Sequence, residues 1–126
     1  MSWELEWRMW RQLRGAFTNQ PADMRFIFTP SSHVRDGYTF DQADSIKQAM
    51  AVLPADCTRV FLEPTGHNNI ADIPRDCDIA LILGNTESGN MALARPAETY
   101  HIATPGSTDI YGINAAAIAL SYWYGQ

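Results

Sequence analysis

A chain of 126 residues, 46% hydrophobic and 18% charged, has enough apolar matter for one packed domain and is not a disordered sequence. Its apolar runs stay below the roughly 18 residues that span a bilayer, and its net charge of −5 argues against tight, sequence-independent binding to nucleic acid. Cys57 and Cys77 stand outside any CxxC pair, and His33, His67 and His101 lack ligand spacing, so neither a disulfide framework nor a structural metal is expected and the simplest setting is a reducing cytoplasm.

In chain order, Trp3, Trp7, Trp10, Leu13 and Phe17 recur at intervals of three or four, which predicts an amphipathic helix over residues 1–20. Glu4, Glu6, Arg8, Arg11 and Arg14 fall mostly off this stripe. Arg8, Arg11, Arg14, Arg25 and Arg35 all lie in the first 35 residues and leave room for a local basic face. The three tryptophans suit the core or, alternatively, a subunit contact. Pro21 breaks the helix; Arg25 to Thr29 reads as a buried strand and the segment through Tyr38 as loop. Phe40, Ala43, Ile46, Ala49, Met50 and Leu53 predict a helix over residues 40–52, stopped by Pro54.

Two further strands follow, Arg59 to Glu63, closed by Pro64-Thr65-Gly66, and Ile79 to Leu83, apolar throughout as a strand covered on both faces should be. Tyr100 to Ile102 is a fourth strand, followed by Thr104-Pro105-Gly106-Ser107. The chain closes on a helix from Asn114 to Tyr124 that is apolar nearly all round and must be buried. Strands alternating with helices and crossovers predict a single α/β domain, a mainly parallel sheet flanked by helices. Ligands of such sheets bind at the carboxyl ends of the strands, where the glycine-bearing turns gather.

The stretch Ile79 to Tyr122 carries more than periodicity. An apolar strand runs into Gly84-Asn85-x-Glu87-x-Gly89, and Ile102-Ala103-Thr104-Pro105-Gly106-Ser107-Thr108-Asp109 leads into Asn114 and an alanine-rich helix. In order and spacing these resemble the C-terminal half of the SPOUT, or trefoil-knot, RNA methyltransferases, over residues 59–126. The resemblance implies a knotted C-terminal cofactor region and transfer of a methyl group from S-adenosylmethionine to tRNA or rRNA, the ribose 2′-oxygen included. It also implies a homodimer through the C-terminal helix. The residues it places at the cofactor are Glu63, Pro64, Thr65, Gly66, Leu83, Gly84, Asn85, Ile102, Gly106, Ile110 and Ile113. Arg35 and Asn114 are its candidates for the catalytic roles.

This sequence departs from the family pattern where the acceptor would be activated. Gly112 stands where the family has Asn, Asn114 where it has Ser, and Glu87 lies one residue late. A protein that keeps the pocket, binds adenosylmethionine or another nucleotide and has lost methyl transfer is therefore the alternative. A deoxyribosyltransferase-like reading of Asp76-Cys77-Asp78-Ile79 needs a nucleophilic glutamate, and only Glu98 follows Glu87. Without a ligand, Glu87, Asp109 and Asn114 are ordinary turn or helix caps, and His67-Asn68-Asn69 is an ordinary polar loop.

Overall fold

A computed structural model describes residues 3–17, 27–28, 41–42, 46–83, 91–106, 110 and 112–124. The chain forms two compact units, Met1–Pro54 and Ala55–Gln126.

In the first unit, helix α1 spans Trp3–Phe17. Trp10, Leu13 and Phe17 are partly buried, whereas Arg8, Arg11, Gln12 and Ala16 are exposed, so the apolar stripe read from the sequence is the inner side of its C-terminal half. Arg14 lies in the last turn, where a cation suits the helix dipole. Strand β1, Ile27–Phe28, pairs in parallel with β2, Asp41–Gln42, and helix α2 spans Ile46–Ala51. The helix expected over residues 40–52 is therefore corrected: Asp41 and Gln42 are strand, and the described helix covers Ile46–Ala51. Pairing with Ile27 and Phe28 outweighs a helical spacing that rested, over residues 40–45, on Phe40 and Ala43 alone. Within the expected strand 25–29, residues 25, 26 and 29 lie outside the described residues.

The second unit is α/β, with a four-stranded parallel sheet. Its strands are β3 (Thr58–Leu62), β4 (Asn68–Asn69), β5 (Ile79–Leu83) and β6 (Thr99–His101), in the order β4-β6-β3-β5. The register sets Thr58 against Ile79 through Leu62 against Leu83, Phe61 against Thr99, and Asn68 against Tyr100. Helix α3 spans Gly112–Tyr124. Alternation sends Val60 and Leu62 to one face with Tyr100, where they pack with Ile70, Ile73 and Ala119. Ile79, Leu81 and Leu83 from β5 and Ala115, Ile118 and Trp123 from α3 pack against this cluster. Phe61, Ile82 and Thr99 lie on the opposite face and are also buried. Removing Phe61 wholly from water is worth about 2 kcal/mol.

Two expectations change here. Among the described residues strand β5 is outermost in the sheet, and of its five residues only Ile82 is buried, so its apolar run does not mark a strand fully covered on both faces. Helix α3 is buried along one stripe, Ile113, Ala116, Ala119 and Leu120, while Asn114, Ser121, Tyr122 and Tyr124 are exposed. A short helix lying on one sheet face buries only the side turned toward it. Strand β4 was not expected. It consists of two asparagines, and its cause is tertiary: the Asn68 amide donates to the carbonyls of Ala97 and Thr99 at 3.0 and 3.1 Å. Asn69 then caps a 3-10 turn, Ile70–Asp72, by accepting from the Ala71 N–H at 2.9 Å.

Candidate functional site at the carboxyl ends of the strands

Because the four strands are parallel, their carboxyl ends share one edge of the sheet, and the segments after the neighbours β3 and β6 begin side by side. After β3 the chain makes a tight turn in which the Gly66 N–H donates to the Glu63 carbonyl at 3.0 Å, with Pro64 in the position that fixes its own φ. The Glu63 N–H donates in turn to the Tyr100 carbonyl at 2.9 Å, tying the turn to β6. Gly66 is then pressed onto the backbone of Tyr100. A Cβ there would stand 2.6 Å from the Tyr100 nitrogen and oxygen and closer still to its carbonyl carbon. Only glycine allows this approach.

Thr99 fastens the next residue. Its hydroxyl accepts from the His67 N–H at 2.8 Å and donates to the Pro96 carbonyl at 2.7 Å, so the buried hydroxyl is satisfied in both senses. His101 completes the clasp, its Nδ1 lying 2.9 Å from the Gly66 carbonyl oxygen. A carbonyl oxygen only accepts, so Nδ1 carries the proton and Nε2 of the neutral ring is left as an acceptor. Among the described residues Nε2 has no partner. Sequence reasoning passes over His101 because the bond its ring makes reaches across 35 residues.

The residues singled out from the sequence divide as follows. Glu63 is buried at 6% exposure, and Pro64 and Thr65 are exposed at the head of the turn. The notch at Gly66 is filled by this chain's own Tyr100, so its lack of a side chain serves the fold. Gly106 is the opposite case: it is exposed, and a Cβ there would meet nothing within 4 Å. Leu83 and Ile102 are partly buried against the core, Ile113 is buried at 5%, and Ile110 is exposed. Asn114 lies in the first turn of α3, two residues inside its start, so it is not the N-cap. Its side chain is exposed and bonds to no described residue. Arg35, Gly84, Asn85, Glu87, Gly89 and Asp109 lie outside the described residues.

Other groups are committed to structure. Glu98 accepts from the Arg95 N–H at 2.9 Å, closing the turn Pro96–Glu98, and its other oxygen stands 3.9 Å from Nε of Arg59. That carboxylate sits at the amino end of β6, a poor position for the nucleophile of a deoxyribosyltransferase-like site. Cys57 and Cys77 are free thiols at the amino ends of β3 and β5, and Sγ of Cys77 lies 3.2 Å from the Thr58 hydroxyl. Burial first, then the carboxylates of Asp78 and Asp56, push the Cys57 thiol up, so it is protonated and poorly nucleophilic at neutral pH. Burial and the nearby Asp72 likewise raise the Tyr100 phenol.

Among the described residues no group of three or more His, Cys, Asp or Glu is arranged to hold a metal ion, and no helix is long and apolar enough to cross a membrane. Charge is unevenly shared along the chain. Residues 55–126 carry three arginines against eight carboxylates, a net −5, whereas residues 1–54 carry six of each sign and are neutral. No family model, no curated protein and no solved structure matches this chain.

Proposed function

We propose that the second unit binds S-adenosylmethionine at the carboxyl ends of β3, β5 and β6 and passes its methyl group to RNA, in the manner of the trefoil-knot methyltransferases that residues 59–126 resemble. The observation that carries this reading is the paired backbone at that edge. The exposed turn at Pro64 and Thr65 and the exposed segment Ala103 to Gly106 follow neighbouring strands of a parallel sheet, with open space beside Gly106. A nucleoside is read well by such backbone N–H and C=O groups, and apolar neighbours such as Leu83 and Ile102 give it a wall. Adenosylmethionine brings an activated methyl group, so the protein's share is to orient the donor and take a proton from the acceptor. In this reading Gly84 and Asn85 extend the cofactor contacts, Ile110 and Ile113 flank them, and Arg35 and Asn114 serve the acceptor. The knot and a homodimer through α3, whose Tyr122 and Tyr124 are exposed, belong to the same proposal.

The test is calorimetric titration with adenosylmethionine and with S-adenosylhomocysteine. Wild type should bind with a Kd on the order of 1 μM, about −8 kcal/mol. Gly106→Trp, which projects into open space, should keep the fold by circular dichroism and weaken binding at least 100-fold. Unchanged affinity in that variant would remove the 102–106 segment from the site. One observation favours the narrower alternative, a binding protein without transferase activity: the unit that holds the site carries all of the chain's net negative charge, which opposes RNA phosphates. Incubation with labelled adenosylmethionine and total RNA separates the two, since only a transferase leaves label on the RNA.

A further inference from the structure

We infer that His101 is the proton acceptor of this site, a role that the resemblance assigns to other residues. The inference rests on the reading of the carboxyl-end edge as a methyl-transfer site, and it is carried by the clasp between β6 and the turn after β3. The ring is fixed through one nitrogen only. Nδ1–H donates to the Gly66 carbonyl, and Gly66 cannot retreat because its Cα lies against the Tyr100 backbone. The residues around it are tied as well, His67 through Thr99 and Glu63 through Tyr100. The tautomer is thereby set by a rigid partner, as it is where a backbone carbonyl orients a catalytic imidazole. The other nitrogen, Nε2, is unpartnered among the described residues. It belongs to a partly buried side chain at the last residue of β6, directly before the exposed 102–106 segment.

A lone imidazole nitrogen held in that state is a base. The acceptor it suits is a neutral nucleophile that must lose a proton as it reacts, such as a ribose hydroxyl. The acceptor oxygen forms the new bond to the methyl carbon, the sulfur–methyl bond breaks with its electron pair left on sulfur, and the hydroxyl proton passes to Nε2. The imidazolium then returns that proton to water. His101 thus supplies the acceptor activation that the altered motif around Gly112 and Asn114 lacks, while the exposed Asn114 side chain bonds to no described residue.

The experiment begins with the full-length protein and no ligand. Long-range proton–nitrogen correlation on the 15N-labelled chain, at about pH 8 where an imidazole is neutral, should show His101 with protonated Nδ1 and bare Nε2. His33 and His67 serve as internal references. An Nε2–H tautomer would overturn the inference before any activity is measured. The second arm is His101→Asn, whose amide keeps a donor near the Nδ1 position for the Gly66 carbonyl but offers no base. It should fold, bind adenosylmethionine within twofold of wild type, and label RNA at least 100-fold more slowly, the usual worth of a general base. A variant that labels RNA at the wild-type rate refutes the role of His101. Wild type that fails to bind adenosylmethionine brings down the underlying reading, whereas binding combined with the wrong tautomer brings down this inference alone.

Discussion

Gly66 shows how much one missing side chain decides. Its hydrogen on Cα occupies the only space left between the turn after β3 and the Tyr100 backbone. A methyl group there meets main-chain atoms of a middle strand, which cannot swing aside as a side-chain tip would. Gly66→Ala should therefore cost about 3 kcal/mol in denaturant unfolding, the upper end of ordinary overpacking, and should loosen the His101 clasp with it. Gly106→Ala, in open space, should change stability by less than about 0.5 kcal/mol. Equal stabilities for the two variants would show that the turn yields. The sequence marks both positions as glycines in turns and treats them alike. What separates them is the register of β3 and β6, which puts Tyr100 beneath one of them, and that pairing bridges too many residues to be read locally. The same distance hides His101, which on its own is a histidine at the end of a short strand.

At the scale of elements, periodicity serves well wherever a segment's own apolar pattern does the work. Ile79–Leu83 appears where it is expected, Thr58–Leu62 and Thr99–His101 start one residue early, α1 follows its stripe, and α3 forms close to its expected bounds. It fails where the cause lies in another segment. Asn68–Asn69 has no strand character except through the Ala97 and Thr99 carbonyls, and Asp41–Gln42 is a strand only because Ile27–Phe28 lies beside it. An apolar run also does not say how fully a strand is covered, and in β5 only Ile82 is buried. Helix α3 has a similarly remote fastening. Nη1 of Arg75 donates to the Trp123 carbonyl at 2.6 Å, one of the last carbonyls that the helix cannot satisfy internally. Because it places a cation at the negative end of the helix, Arg75→Ala should lose about 1 kcal/mol and lower the melting temperature by roughly 4 °C. Arg75→Lys should recover part of that loss, and an unchanged melting temperature in both would make the contact incidental.

At the scale of the whole molecule, the described members of the second unit's core cluster all come from residues 60–123. A fragment of residues 55–126 should therefore fold by itself, although a chain of that size is marginal because it buries a smaller share of its surface. Cooperative thermal melting of the fragment, followed by circular dichroism, is the expected result, and a featureless melt would mean that the first unit is needed to hold the sheet. Function was less legible than architecture at this scale. The edge at which parallel sheets take their ligands follows from strand direction, but the chemistry open to it depends on which loop backbone is already occupied by the protein itself. Gly66 and Gly106 are indistinguishable in sequence on that point.

The parallel order of the sheet also sets how this unit must come together in time. No two of its neighbouring strands are joined by a hairpin: the paired residues Thr58 and Ile79, Asn68 and Tyr100, and Phe61 and Thr99 are 21, 32 and 38 positions apart. Each pairing closes a long loop before any reward arrives, which makes such topologies slow to fold. The face bearing Val60 and Leu62 meets Ile70 and Ile73 early, but its cover is incomplete until Ala115, Ile118 and Ala119 of α3 arrive. During synthesis this face must therefore wait, incompletely covered, for helix α3 to leave the ribosome. A stalled chain ending before Gly112 would be a target for chaperones, not a smaller version of the native fold.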